Sequence, residues 1–91
     1  MKRKGWELIV TSPAIRCLDR LPAKASAAVV EFMLGPLRRE PKRVGHRIRG
    51  DLTGLLAARR GPYRVVYELD ETAREVHVLW IDHRADVYRP R

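Results

Sequence analysis

The sequence predicts an α+β domain in the order β-α-α-β-β-β, in which an antiparallel sheet packs against an N-terminal helical hairpin. The chain has 91 residues, of which 45% are hydrophobic and 33% charged, and this composition suits one packed core with an ionised surface. Segments rich in β-branched and aromatic residues occur near the N-terminus and throughout the second half, and helical spacing occurs between them. We therefore expect residues 1–91 to form a single domain.

The first half of the chain predicts one strand and two helices. Residues 6–11 are aromatic and β-branched, which is typical of a strand. Ser12 followed by Pro13 is a helix start signal, and the first helix is expected to end at Pro22. Residues 23–37 place apolar side chains at helical spacing, and Gly35-Pro36 predicts that this second helix stops soon afterwards.

The second half predicts three further strands. Residues 42–49 are cationic with few apolar side chains, so they form either a connection or an edge strand. Strands are expected at residues 55–60, 63–69 and 76–81, and the last two should pair as a hairpin. The polar tail that follows is expected to dock at the end of the sheet, whose second face is left uncovered.

Alternation along residues 63–69 predicts which side chains meet the helices. One face of this strand carries Tyr63, Val65, Tyr67 and Leu69, and the other carries Arg64, Val66 and Glu68. If the tyrosines belong to the core, Arg64 projects from the uncovered face. Two large aromatic residues within apolar strands, Trp6 and Trp80, are expected in the core, and Cys17 is expected to be a structural thiol.

The charge balance points to a polyanionic partner. Nineteen Lys and Arg residues oppose eleven Asp and Glu residues, giving a formal net charge of +8. Nucleic acid is the first candidate, and the arginines expected to contact phosphates are Arg47, Arg49, Arg59 and Arg60. We expect no membrane span, signal peptide, metal site or cofactor, and a cytoplasmic location.

Three segments of the second half resemble the RelE family of the RelE/ParE toxin superfamily. They are Leu52-Thr53-Gly54-Leu55, Ala58-Arg59-Arg60-Gly61-Pro62-Tyr63-Arg64-Val65-Val66-Tyr67 and Ile81-Asp82-His83-Arg84-Ala85-Asp86-Val87-Tyr88. This resemblance implies a toxin of a type II toxin–antitoxin system that enters the ribosomal A site and cleaves mRNA there. It also implies a cognate antitoxin that binds the toxin in a hetero-oligomer.

The resemblance assigns candidate catalytic residues. Arg64 matches the family's phosphate-stabilising arginine, while Arg84 and Tyr88 match its C-terminal arginine and tyrosine. His83 is the imidazole beside them and could exchange a proton near neutral pH. The other two histidines, His46 and His77, have no supporting motif and are expected to be structural.

One departure from the family pattern leaves the reaction open. Efficient family members carry basic residues on the strand before the Tyr-Arg motif, where this chain has Leu55, Ala57 and Ala58. The general base would then be Tyr88 or His83. The alternatives are a non-catalytic toxin of the ParE branch that inhibits DNA gyrase and a plain basic nucleic-acid-binding module.

Overall fold

A computed structural model describes residues 5–48, 50 and 54–83. Its helices and strands follow the predicted order, with a π-helical turn, a short helix and a short strand added between the second helix and the last three strands. They are β1 Glu7–Val10, α1 Ser12–Arg20, α2 Ala23–Phe32, a π-helical turn Met33–Leu37, α3 Pro41–Val44, β2 Gly45–Arg47, β3 Leu56–Arg60, β4 Tyr63–Asp70 and β5 Glu75–His83.

The five strands form one sheet in the order β1-β5-β4-β3-β2. The α+β class is confirmed, and residues 45–47 of the cationic segment form an edge strand rather than a connection. The expectation of a wholly antiparallel sheet is wrong at one edge, because β1 runs parallel to β5. The chain leaves β1 through the helices and re-enters the sheet at the far edge, so three antiparallel steps later β5 arrives alongside β1 in the same direction.

The second helix continues past its predicted stop signal without a break. Pro36 lacks the backbone N–H that an α-helix needs, and the helix accommodates it in the π-helical turn. Pro41 then starts α3 after a residue in non-helical geometry, Glu40. The long helix therefore ends between the two prolines, as the sequence indicated, but residues 42–44, expected in a connection or edge strand, belong to the short helix α3. No helix within the described ranges is long and apolar enough to cross a membrane.

The core lies between the helices and one face of the sheet. Val65 and Tyr67 are fully buried there, and Tyr63 and Leu69 pack against them, so the predicted inward face of β4 is confirmed. Trp6 is 6% exposed and belongs to the core, and Cys17 packs at its margin. The prediction for Trp80 is wrong, because this side chain is half-buried on the opposite face of the sheet.

Tyr67 ties the sheet to the start of α3. Its hydroxyl donates a hydrogen bond to the carbonyl oxygen of Pro41, over 2.5 Å, and burial raises its pKa from 10.0 to about 12. Gly45 begins β2 directly against this phenol, and a Cβ at that position would lie 2.0 Å from the hydroxyl oxygen. A side chain at residue 45 is therefore incompatible with the buried tyrosine.

A β-bulge in the hairpin of β4 and β5 changes which side chains face the core. Tyr67 pairs with Val78 but Val66 pairs with Trp80, which leaves Leu79 as the extra residue. Beyond the bulge Ile81 turns inward, at 6% exposure, and the next residue turns outward. Thr11, after β1, donates its hydroxyl to the carbonyl oxygen of Val78 over 2.7 Å and so supports the bulge.

Candidate nucleic-acid interface

Arg64 is held on the uncovered face by Asp82 on β5, whose carboxylate is in turn held by Trp80. Its Nη2 donates to Oδ2 of Asp82 over 2.9 Å, and Trp80 Nε1 donates to the same oxygen over 3.1 Å. The side chains of Arg64 and Asp82 are 28% and 26% exposed, so the ion pair is partly shielded from water. A partly buried pair fixes the guanidinium more firmly than an exposed one, and Arg64 also lines a groove on this face.

Arg59 lies directly opposite Arg64 on β3, so the row across three strands reads Arg59, Arg64, Asp82. Like charges at directly opposed positions destabilise a sheet, and the single carboxylate lies on the far side of Arg64 from Arg59. Arg64 Nε is buried and finds no hydrogen-bond partner among the described residues. Arg59 is exposed and lies opposite another cation, so an anion in the groove would offset the like charge of the pair.

A groove of about 480 Å³ opens beside this pair at the β3–β2 end of the sheet. Its floor includes Ala57, whose small side chain leaves room next to the arginines. The side chains and backbone that line it belong to His46, Arg47, Ile48, Ala57, Ala58, Arg59 and Arg64. A cationic groove of this kind fits the phosphodiester backbone of a single strand.

The predicted site residues do not all share this face. Arg60 pairs with Tyr63, and Tyr63 pairs with His83, so these three side chains lie on the helix side of the sheet. The rings of Tyr63 and His83 meet edge to face, with centroids 5.2 Å apart, and Arg60 lines a separate groove beside α2. The structure thus brings Arg59 and Arg64 together and separates Arg60 and His83 from them. Arg47 borders the same groove, although its register partner, Leu56, lies on the helix side of the sheet.

Three predicted residues, Arg49, Arg84 and Tyr88, lie outside the described residues, and their roles stay predictions. Asp82 and His83, which the sequence placed in the tail, belong to β5. No local signal singles out Asp82, because a regular hairpin register places residue 81 opposite Arg64 and only the bulge puts residue 82 there. His46 was also missed as a groove residue, since its strand was left undecided.

The other end of the uncovered face is acidic. Glu68 lies opposite His77, and Glu7 lies opposite Glu75. His77 Nε2 is 2.8 Å from Glu75 Oε1, and its Nδ1 is 3.9 Å from Glu68 Oε2. Carboxylates repel a phosphate backbone, so the charge pattern directs a nucleic acid to the arginine end of the face.

Comparison with known proteins decides the family. Residues 8–88 match the family model described as the ParE toxin of the type II toxin–antitoxin system parDE. Toxin RelG of Mycobacterium tuberculosis is 51% identical over 79 residues, which cover 87% of this chain and 91% of RelG. The chain belongs to the RelE family of toxins. Toxin RelE of the same organism is 46% identical over 84 residues, covering 92% of this chain and 87% of that protein.

Solved structures of this toxin family share the fold. A chain of the toxin–antitoxin complex RelBE2 from M. tuberculosis superposes with a TM-score of 0.83 and 45% identity, covering 88% of this chain and 99% of that one. The isolated E. coli RelE toxin, at 19% identity, matches with a TM-score of 0.67 over 91% of this chain and 90% of that one, which shows the fold alone. The resemblance read from the Tyr-Arg and His-Arg segments is confirmed.

Proposed function

We propose that this toxin binds ribosome-bound mRNA in the groove beside Arg59 and Arg64 and cleaves it without a metal ion. The observation that carries the proposal is the opposed pair of arginines on the uncovered face, one of them fixed by Asp82 and Trp80. Two guanidinium groups that lie side by side on neighbouring strands can both donate hydrogen bonds to the oxygens of a phosphate.

Metal-independent RNA cleavage makes three demands on the protein. The 2′-hydroxyl must lose its proton, the developing charge on the phosphorane must be stabilised, and the 5′-oxygen must gain a proton. Arg64 suits the second demand because its guanidinium is oriented before substrate arrives. Arg59 would hold the same or the adjacent phosphate, and Arg84 and Tyr88 are proposed to contribute from the segment that follows β5.

The proposed partners are an antitoxin and the ribosome, both in the cytoplasm. The solved relatives include toxin–antitoxin complexes from M. tuberculosis, Pyrococcus horikoshii and Methanococcus jannaschii, which supports an antitoxin for this chain as well. A net charge of +8 suits both an acidic antitoxin segment and ribosomal RNA. Production of the toxin alone should stop growth, and a co-produced antitoxin should restore it.

The deciding experiment maps new mRNA 5′ ends on ribosomes programmed with a defined message. The wild-type toxin should generate cuts, and Arg64→Ala should slow cleavage at saturating ribosomes by about 100-fold or more, as loss of one transition-state donor does. Arg20→Ala is the matched control, since Arg20 is an exposed arginine at the end of α1. Cuts by Arg64→Ala at the wild-type rate would remove Arg64 from the reaction.

A second candidate is gyrase inhibition without catalysis. It is favoured by the matching family model, which is described as the ParE toxin, and by the absence of basic side chains at Leu55, Ala57 and Ala58. A supercoiling assay with purified gyrase separates the two functions. Inhibition of supercoiling by a toxin that makes no cuts on ribosomes would replace the first proposal with this one.

A further inference from the structure

We propose that His46 is the general base of the groove that contains Arg59 and Arg64, and this inference rests on the proposed RNA cleavage. The family pattern supplies a basic residue from the strand before the Tyr-Arg motif, and this chain has alanine there. The neighbouring edge strand supplies an imidazole at the same place instead.

The register of the sheet places His46 beside the arginine pair. His46 on β2 lies directly opposite Ala57 on β3, and Ala57 is two residues from Arg59 on the same face. Adjacent strands are about 4.8 Å apart and residues i and i+2 about 6.8 Å apart, so the Cα atoms of His46 and Arg59 are separated by roughly 8 Å. The Cα of Arg64, one strand further, is then about 12 Å away, and the two side chains can reach one phosphodiester from opposite sides.

These side chains border one groove. His46 is exposed and lines the groove together with both arginines. Ala57 is 5% exposed and has no side chain beyond Cβ, so nothing on β3 itself stands between the imidazole and Arg64. A bound strand can therefore contact the imidazole and the guanidinium groups together.

The other two histidines are placed differently, and all three lie within the described residues. His77 contacts Glu75 at the acidic end of the face and lies directly opposite Glu68. His83 packs its ring against Tyr63 on the helix side. Only His46 shares a groove with Arg59 and Arg64.

The step that His46 performs can be written in full. Its neutral imidazole takes the proton of the 2′-hydroxyl, the 2′-oxygen forms a bond to phosphorus, and the bond from phosphorus to the 5′-oxygen breaks. The leaving 5′-oxygen takes a proton from a water molecule, and the hydroxide so formed is neutralised by the proton that the imidazolium releases. The products are a 2′,3′-cyclic phosphate and a 5′-hydroxyl end.

Among the described residues, the charged side chains that line the groove with His46 are cations. Those that line the groove with it are Arg47, Arg59 and Arg64. The adjoining α3 carries two more cations, each paired with a carboxylate: Lys42 with Glu71 and Arg43 with Glu40. The test must therefore separate proton transfer from a contribution of positive charge alone.

Single-turnover cleavage of ribosome-bound mRNA, measured across the pH range in which imidazole titrates, makes that separation. We expect His46→Gln to lower the cleavage rate by about 100-fold or more at neutral pH, the usual range for loss of a general base. The wild-type rate should fall on the acidic side of the profile, as expected for a general base, and His46→Gln should lack that fall. Binding of the toxin to ribosomes should be unchanged, and His77→Gln, the matched control, should behave as the wild type.

His46→Lys distinguishes a base from a cation. Lysine keeps a positive charge but gives up its proton far above neutral pH, so this variant should be slow at neutral pH and gain rate as pH rises. Full activity of His46→Lys at neutral pH, or a wild-type rate and pH profile in His46→Gln, would overturn the role of His46 while leaving RNA cleavage intact. A wild-type toxin that makes no cuts on ribosomes would overturn both proposals.

Discussion

Gly45→Ala tests the contact that holds β2, and with it His46, against the sheet. A Cβ at this position would lie 2.0 Å from the hydroxyl oxygen of Tyr67, 2.9 Å from its Cζ and 2.9 Å from the carbonyl oxygen of Ala57. Tyr67 is fully buried, and its hydroxyl is bonded to Pro41, so the ring has no free space to enter. The substitution must displace either the tyrosine or the edge strand.

The expected loss of stability is the sum of an overpacking cost and the cost of a broken hydrogen bond. Overpacking in a buried site costs about 1–3 kcal/mol, and leaving a buried hydroxyl and carbonyl without their hydrogen bond costs about 1–3 kcal/mol more. We therefore expect Gly45→Ala to lower the free energy of unfolding by about 2–6 kcal/mol. For a domain of this size each kcal/mol shifts the melting temperature by about 4–8 °C, so Tm should fall by roughly 10 °C or more.

Thermal and urea unfolding followed by circular dichroism measure this effect, and two variants calibrate it. Gly35→Ala is the matched control, since the nearest atoms to its Cβ belong to the guanidinium of Arg39, at 3.8 Å, and alanine is the better helix former by about 0.5–1 kcal/mol. Tyr67→Phe removes the oxygen that clashes, so Gly45→Ala should cost less in that background. The reasoning would be refuted if Gly45→Ala had the melting temperature of the wild type, or if it lowered stability equally in the wild-type and Tyr67→Phe proteins.

Three further predictions concern pH, the bulge and the turn before β5. Since burial raises the pKa of Tyr67 to about 12, the unfolded chain releases that proton first as pH rises. The free energy of unfolding should therefore be constant below pH 10 and fall by about 2–3 kcal/mol between pH 10 and about 12. Urea titrations at each pH measure this loss, and Tyr67→Phe should not show it. Thr11→Val removes the hydrogen bond to Val78 and should lower the free energy of unfolding by about 1 kcal/mol. It should also slow mRNA cleavage, because the bulge places Asp82 against Arg64. Thr11→Ser, which keeps the hydroxyl, should retain the wild-type stability and cleavage rate. Arg74 has a φ of +55° and stacks over the Trp6 ring, with 4.6 Å from Cζ to the ring centroid. Glycine adopts a positive φ without strain and alanine does not, so the free energy of unfolding of Arg74→Gly, measured by urea titration, should exceed that of Arg74→Ala by about 1 kcal/mol.

Each of these has an outcome that counts against it. An alkaline loss of stability that is the same in Tyr67→Phe would place the titrating group elsewhere. Thr11→Val that unfolds and cleaves as the wild type would separate the threonine from the bulge. Equal stability of the two Arg74 variants would show that the positive φ carries no strain there.

The sequence predicted the fold class because local signals agreed with the tertiary arrangement. The Ser12-Pro13 start and the alternation along residues 63–69 each correspond to an observed element. The alternation also predicted that Arg64 faces away from Tyr63 and Tyr67, which the register and burial confirm. The parallel pairing of β1 with β5 depends on the path of the chain around the sheet, and no local pattern encodes that path.

Within the candidate site, the largest error came from the bulge. A regular hairpin would have put Trp80 in the core and Ile81 opposite Arg64, and one extra residue reverses both. The separation of Arg59 from Arg60, by contrast, was available from the sequence, because consecutive residues of a strand point to opposite faces. Grouping them as one phosphate-contacting patch overlooked that rule.

The division of the uncovered face into an arginine end and a glutamate end gives the molecule an orientation before it touches anything. In the field of a polyanion the two ends experience forces of opposite sign, which produce a torque that turns Arg59 and Arg64 forward and Glu68 and Glu75 away. Under the proposed function, collisions with ribosomal RNA are then productive more often than random tumbling allows. Added salt should slow the association of the toxin with ribosomes more than it speeds its departure.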